Sequence, residues 1–390
     1  MRSPRPGSRE YSLRGYGEMI ADRVRMDAYR EALARSIKPG DVVLDLGAGT
    51  GIMSLLACKL GAGKVHAVEH SDALVVAREL AQANGCADRI EFHQSSSFDV
   101  RLFRPADVLV SDLRGVLPLH GNHVPSIMDA RRRLLAPSGA QIPWQDTIRA
   151  QLVADAGLHA ETLKVWKDGA FGLDLAPALR WAAHQFRKAN LAQSRLVGQA
   201  QSVIKLDYRT IESPNARGEA HWIIDRDETV HGLGVWFDTA LVDDIGFSNA
   251  PGRPRAIYGQ MFFPFVEPLV LKHGEHVDVK LGATQVGRDY VWQWDTSVSD
   301  HGGSVRVALK QSSFQASPVN PARLGPRAAG HVPEPSAEGR AAARALALIE
   351  ERKPIEAIAA QLQSEFPGLF AAAPGDAFEL VADLSEWFSA

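Results

Sequence analysis

Val42-Val43-Leu44-Asp45-Leu46-Gly47-Ala48-Gly49-Thr50-Gly51 is the stretch that decides how this chain folds. Its first five residues fit a parallel strand buried on both faces, and three glycines follow at once. Glycine tolerates a left-handed backbone and lets a ligand approach the main chain, so strand, tight turn and a helix starting near Ile52 make a ligand loop. A second apolar run, Lys64-Val65-His66-Ala67-Val68, ends on Glu69. At about 20 residues beyond the glycines, a carboxylate can accept hydrogen bonds from both hydroxyls of a ribose. A nucleotide-like ligand is implied.

The glycines are spaced G-x-G-x-G, which differs from the dinucleotide fingerprint. Asp45, just before them, would repel a pyrophosphate but suits a cationic methionine moiety with its ammonium group. S-adenosylmethionine therefore fits better than NAD.

At 390 residues the chain exceeds a usual single core, so two or three domains are expected, and 45% hydrophobic content suffices to bury them. A formal charge of −3 gives no electrostatic footprint for nucleic acid or an anionic membrane. Cys58 and Cys86 are the only cysteines, which argues against a disulfide framework or a thiolate zinc site. The lead Met1-Arg2-Ser3-Pro4-Arg5-Pro6-Gly7 is basic with no apolar signal core after it, and no stretch is long enough to span a bilayer. The cytoplasm is the expected compartment.

Helical spacing over 1–40 suggests a lid ahead of the glycine loop. From 41 to 143, strand-like runs at 42–46, 65–68, 90–93 and 108–111 alternate with helical segments, the pattern of a doubly wound parallel sheet. Pro137-Ser138-Gly139 and Pro143 punctuate its end. From 144 to 315 the runs at 147–153, 202–208, 222–224, 235–237, 256–263, 277–281, 290–294 and 304–310 are short and β-branched or aromatic, as in an antiparallel sheet or barrel. A segment at 174–193 reads as helical and interrupts them. Residues 316–338 are rich in Pro, Ala, Gly and Arg and read as a linker. Helical spacing at 339–351, 355–366 and 377–388 predicts a small helical module over 339–390.

The order Tyr11…Met19-Ile20-x-Asp22-x-x-Arg25-x-x-x-Tyr29, then the glycine loop, then Val65-His66-Ala67-Val68-Glu69, resembles the protein arginine methyltransferases. Trp166…Phe171-Gly172-Leu173-Asp174 is similar to the entry to that family's dimerisation arm, and Val235-Trp236-Phe237-Asp238 to one of its barrel strands. The resemblance implies a Rossmann-like methyltransferase domain, a β-barrel with a helical arm at about 157–200, and a homodimer. It implies S-adenosylmethionine as cofactor and S-adenosylhomocysteine as product. Carried onto this chain, Arg25 pairs with the cofactor's methionine carboxylate, Gly47, Gly49 and Gly51 form the loop, Glu69 holds the ribose, and Met19 packs nearby. Tyr16 stands at a cofactor-side position that the family gives to histidine. Ser97 and Phe98 follow the third strand, where adenine is held.

The acceptor site departs from the family. Its members place two glutamates on the loop after the fourth strand to grip a guanidinium. Here that loop reads Ser111-Asp112-Leu113-Arg114-Gly115-Val116-Leu117-Pro118-Leu119-His120-Gly121-Asn122-His123, with Asp112 at the first position and Gly121 at the second. The family's Thr-His-Trp loop is replaced by Ala256-Ile257-Tyr258, so its bridge to the aspartate represented by Asp22 is expected to be lost. Losing one gripping carboxylate removes a charge-assisted contact worth about 1.5–3 kcal/mol, which makes arginine a doubtful acceptor.

Methyl transfer asks for alignment and an unprotonated nucleophile. Asp112 would orient that nucleophile, and His120 or His123 would take its proton, since histidine is partly basic near neutral pH. His120-x-x-His123 and His273-x-x-His276 have metal-like spacing but no third ligand nearby in sequence, so no metal is expected. The C-terminal module is similar to small PqqD-like or winged-helix modules that bind peptides. Two function classes follow. One is a methyltransferase acting on a nitrogen or oxygen of a peptide, protein or small molecule; the other is a catalytically lapsed cofactor-binding regulatory or peptide-binding protein.

Overall fold

The computed structural model describes residues 11–320 and 329–388; the basic lead and residues 321–328 of the expected linker lie outside them. The chain falls into two compact units, one reaching to Pro318 and one starting at Val319. In the first, α1 (Leu13–Ala21) is capped by the Ser12 hydroxyl and α2 (Arg23–Ser36) by the Asp22 carboxylate, which accepts the Arg25 N–H. Then come β1 (Val42–Leu46), α3 (Ile52–Lys59), β2 (Lys64–Glu69), α4 (Ala73–Ala83), β3 (Ile90–Gln94), β4 (Ala106–Ser111), α5 (His123–Arg133) and β5 (Leu135–Ile142). The five strands are parallel in the order β3-β2-β1-β4-β5. Strand order reverses between β1 and β4, and the crevice beyond their carboxyl ends is where such sheets take ligands.

Pro137-Ser138-Gly139, expected as punctuation, lies inside β5. That strand is at the sheet's edge, where proline's missing donor costs no ladder bond.

Antiparallel pairing follows through β6 (Gln145–Val153), β7 (Arg187–Ala189), β8 (Leu196–Asp207), β9 (Ala216–Ile223), β10 (Glu228–Val242), β11 (Ile245–Ser248), β12 (Gln260–Leu271), β13 (His276–Val286), β14 (Asp289–Ser299) and β15 (Val305–Ser312). One sheet runs β7-β12-β10-β6-β8 with β11 on β10; the other runs β15-β14-β13-β9. Leu233, Val235, Phe263 and Phe265 from the first meet Val277, Leu281, Trp292 and Trp294 from the second in a single core. Period-two alternation produces this, as in β14, where every second residue is buried.

The helical arm lies earlier than 174–193. Its main helix is α6 (Ala156–Asp168), capped by Asp155; beyond it stand only a 3-10 turn at Ala176–Ala178, the one-turn α7 (Leu179–Ala182) and β7. Pro177 fits only the first turn of a helix, and Arg187–Ala189 are drawn into pairing with β12. Phe186 stacks on Phe263 at 4.7 Å and belongs with the barrel core. Val165, Trp166, Phe171 and Leu173 remain exposed, Phe171 entirely so.

The second unit packs α8 (Ala337–Glu350), α9 (Ile355–Glu365), α10 (Pro367–Phe370) and α11 (Gly375–Phe388) around Ala345, Leu348, Ile358, Leu362 and Phe370. Residues 329–388 contain no strand, so the winged-helix likeness finds no wing among the described residues. None of the described helices is long and apolar enough to cross a membrane.

Parallel domain and barrel are joined through the loop after β4. Leu117, Leu119, Val124 and Ile127 enter the barrel core, and Arg114, with its side chain fully buried, gathers the polar groups of four elements. Its Nε and Nη2 donate to the two oxygens of Asp146 on β6 at 2.7 and 3.2 Å. Nη2 also donates to the Thr239 hydroxyl on β10 at 2.8 Å, and Nη1 to the Tyr29 hydroxyl on α2 and to Asp112, both at 2.9 Å. Five N–H groups have five acceptors, which is what a buried guanidinium requires. Arg114→Met should leave Asp146 as an uncompensated buried charge and cost about 3–5 kcal/mol in urea unfolding. The double variant Arg114→Met/Asp146→Leu should regain much of that loss; a single variant as stable as the parent would refute this account.

Candidate active site

A cavity opens beyond the carboxyl ends of β1, β2 and β4, lined among others by Tyr11, Tyr16, Met19, Arg25, Asp45, Gly47, Gly49, Glu69, Asp112, Arg114, His120 and Tyr258. The glycine loop shapes one wall. Gly47 and Gly49 have φ of +77° and +54°, and a Cβ on them would lie 2.2 Å from Leu113 and 2.5 Å from the Tyr16 ring. No other residue type meets both demands at these positions.

At the β2 end, Glu69 is held by its surroundings. Its Oε2 accepts the Gly49 N–H, and Oε1 accepts the N–H groups of His70 and Ser71, all at 3.0 Å. Burial pushes this carboxyl up, but the His70 side chain and the Ser71 and Gly49 amides outweigh it and hold it at about 2. It is thus a permanent acceptor of fixed orientation, with Oε2 the less crowded oxygen. Asp45 differs. Burial raises it to about 6 although the Ser54 hydroxyl donates to it at 2.6 Å.

Arg25 spends Nε on Asp112 at 2.5 Å and Nη1 on the Met19 carbonyl at 3.2 Å, leaving Nη2 without a hydrogen bond among the described residues. A spare guanidinium donor, a desolvated carboxylate and an oriented carboxylate around one cavity are the donor set for an amino-acid carboxylate, an ammonium and a ribose. The residues present therefore fit S-adenosylmethionine.

At the β4 end, Asp112 is already engaged. Oδ2 accepts from Arg25 Nε and from the Tyr258 hydroxyl, each at 2.5 Å, and Oδ1 accepts from Arg114. Burial raises this carboxyl, but the Arg25 and Arg114 charges outweigh it and bring it to about 2. An ionised carboxylate has about four lone-pair sites, so one remains for an acceptor. The bridge from Asp22 to the altered loop, expected to be lost, is replaced: Asp22 Oδ2 accepts the Ile257 backbone N–H at 2.8 Å. Gly121 has φ of +49°, and a Cβ there would meet only the Arg288 carbonyl, at 4.0 Å. The missing carboxylate thus coincides with a left-handed turn.

Of the sequence-derived site residues, Tyr16, Met19, Arg25, Asp45, Gly47, Gly49, Glu69, Asp112 and His120 share the cavity. Gly51 starts α3 and packs on Ala77. Ser97 and Phe98 are not in its lining; the Ser97 carbonyl accepts from Arg133, and Phe98 is exposed. His123 is buried at the start of α5, with Nε2 3.0 Å from the Tyr208 hydroxyl, and burial together with the Arg114 charge lowers it to about 3. It is neutral and is not part of the cavity lining. Arg114 and Tyr258 belong to the site without having been singled out for it. Tyr258 was visible only as a changed loop, and nothing local in sequence marks an arginine that will be buried.

A family model described as ribosomal protein L11 methyltransferase matches residues 30–117, and one described as the arginine methyltransferase oligomerization subdomain matches 145–296. The chain is 33% identical over 298 residues to protein arginine N-methyltransferase PRMT10 of Oryza sativa subsp. japonica, covering 67% of this chain and 78% of that protein. It is 31% identical over 273 residues to an arginine N(omega)-methyltransferase of Streptomyces achromogenes subsp. streptozoticus, covering 68% and 74%. Among solved structures, a Trypanosoma brucei PRMT1 enzyme-prozyme heterotetrameric complex with AdoHcy aligns at a TM-score of 0.70 and 24% identity, over 76% of this chain and 96% of that one. Arabidopsis thaliana protein arginine methyltransferase 10 aligns at 0.67 and 22%, over 77% and 97%; both likenesses show the fold.

Two binding measurements check the cofactor end. Glu69→Ala should weaken S-adenosylmethionine binding by about 2–3 kcal/mol in calorimetry. An ammonium beside Asp45 favours its ionised form, so affinity should rise as pH increases through about 6, and Asp45→Asn should flatten that dependence. Equal affinity at pH 5 and 7 in the unmutated protein would remove Asp45 from the site.

Proposed function

The chain belongs to the protein arginine methyltransferase family, and from that premise we propose that its acceptor is a neutral nitrogen or oxygen nucleophile of a peptide, protein or small molecule. It is an S-adenosylmethionine-dependent methyltransferase. When bound, the sulfonium supplies an electrophilic methyl group, so the protein's contribution is alignment and an unprotonated nucleophile. In this reading Arg25, Asp45, Glu69 and the glycine loop hold the cofactor, with Tyr16 and Met19 packed beside it. Asp112 offers its one remaining lone pair to an N–H or O–H of the acceptor. His120, exposed on the cavity wall, takes the proton.

The observation that carries the proposal is the charge around Asp112. Its negative charge is already faced by Arg25 at 2.5 Å and Arg114 at 2.9 Å. With Arg114 balanced by Asp146, an incoming guanidinium would still meet the Arg25 charge and a carboxylate with three of its about four lone-pair sites taken; a neutral donor meets no such repulsion. Arginine is the second reading, favoured by what the rice and Streptomyces relatives are named for.

We also propose a homodimer, head-to-tail or two-fold, through the arm. Exposed Val165, Trp166, Phe171 and Leu173 form an apolar surface that a partner would bury, within the stretch that matches the oligomerization subdomain. Cys58 and Cys86 are both free and buried, which fits a reducing compartment such as the cytoplasm, and the charge of −3 fits a chain without a nucleic-acid partner.

Labelled cofactor offered with arginine-rich peptides and, separately, with amine, amide and hydroxyl nucleophiles tests the acceptor by mass spectrometry. Label is expected on the neutral groups, and efficient formation of methylarginine would overturn the proposal. His120→Gln should lower kcat while leaving cofactor affinity within about twofold, since the ring would act on the acceptor alone. For the assembly, Trp166→Asp/Phe171→Asp should sediment as monomer; an unchanged dimer would place the interface elsewhere.

A further inference from the structure

A cluster of His66, Glu91 and His93 lies on the parallel sheet. β2 and β3 are parallel neighbours in a register that pairs His66 with Glu91 and Val68 with His93. Side chains alternate along a strand, so Lys64, His66 and Val68 point to one face of β2, and Glu91 and His93 to the same face of β3. The other face is apolar: Val65, Ala67 and Ile90 belong to the core beneath α3.

On the polar face, His66 Nδ1 and His93 Nε2 are 3.0 Å apart. Glu91 places Oε2 3.8 Å from the first and Oε1 3.6 Å from the second. One ligand atom from each residue falls within 4.8 Å of the others. Bonds of about 2.0–2.1 Å at the tetrahedral angle set ligand atoms roughly 3.4 Å apart, close to the 3.0 Å between the two imidazole nitrogens and within reach of a small rotation of the Glu91 carboxylate.

We propose that His66, His93 and Glu91 bind one divalent first-row cation, zinc by preference. Two imidazoles and a carboxylate are borderline donors that suit zinc, and three protein ligands leave a fourth position to water. In the structure these two nitrogens share a hydrogen bond, so one of them carries the proton; a metal would take its place, with that ring's N–H moved to its outer nitrogen. Lys64 is the cation already present: its ammonium lies 3.1 Å from Glu91 Oε2. The metal therefore takes Oε1 while Oε2 stays with Lys64, or displaces the ammonium into solvent.

Binding would tie the edge strand β3 to β2, the strand that ends in Glu69, so its effect is on the stability of this sheet and does not depend on the acceptor. Sequence spacing hides the site, because its histidines come from different strands.

The test uses the full chain, stripped with chelator and titrated with zinc chloride by calorimetry and in thermal melts. Expected are one equivalent of saturable binding, a rise in Tm, and ligand-field absorption when cobalt(II) replaces zinc. His66→Gln and His93→Gln should each weaken binding at least about tenfold and abolish the rise in Tm. The pair His273→Gln/His276→Gln should change neither. Glu91→Gln, at a half-exposed position, decides the matter if the histidine variants fail to fold, with weaker zinc binding and a smaller rise in Tm expected. No saturable binding in the parent, binding undiminished in these variants, or binding lost with His273 and His276 would overturn the site.

Discussion

The guanidinium of Arg114 is the constraint on which the arrangement of the first unit depends. A permanent cation with no solvent exposure is tolerable only if every N–H finds an acceptor and its charge is balanced. Those acceptors come from α2, β6, β10 and the loop after β4, so the cation is satisfied only when parallel domain, leading helix and barrel are in register. Hydrophobic burial of Leu117 and Leu119 is non-directional, whereas the five hydrogen bonds of Arg114 fix one register. Buried ion pairs add little net stability; geometric definition is the benefit that fits here.

The same residue sets the chemistry of the cavity. Arg25, Asp112, Arg114 and Asp146 form a chain of alternating charges that sums to zero, with the Tyr29, Tyr208 and Tyr258 hydroxyls hydrogen-bonded along it. Burial together with the neighbouring Asp112 or Asp146 charge raises the tyrosine hydroxyls, so they stay protonated and donate. The network at the β4 end carries no net charge, whereas the cofactor end keeps Glu69 permanently ionised and Asp45 able to become so.

What the sequence made legible was local. The β1 strand, the glycine loop and the acid ending β2 are specified by residues within one supersecondary unit, and each contributes to the lining of one cavity. The barrel strands were legible as alternation but not in length: β10 covers 15 residues where three stood out, because its middle is buried on both faces and loses the period of two. The helix expected at 174–193 is reduced to two short turns, because Leu179 packs with Leu163, Ala182 and Ala183 while Phe186 joins the barrel core. Tyr258 depends on Asp112, 146 residues away, and Arg114 on Asp146, Tyr29 and Thr239, which are 32, 85 and 125 residues away; no local pattern encodes these pairings.

Gly121 carries the argument about the acceptor one step further. Read from sequence, it is a carboxylate position that lost its carboxylate. In the fold it is a left-handed turn whose carbonyl accepts from Gln285 on β13, and a side chain there would face the Arg288 carbonyl across open space. A glutamate would pay roughly 1–2 kcal/mol for that backbone and would meet a carbonyl oxygen, a repulsive neighbour for a carboxylate. The two histidines of this loop stand apart: His123 turns inward to Tyr208, while His120 lies over Gly115 at the cavity wall, where a Cβ would approach its ring to 2.8 Å. Removing Arg114's charge would unfasten the junction that holds Asp112 in place, so the acceptor end of the cavity and the seam between parallel domain and barrel depend on one cation.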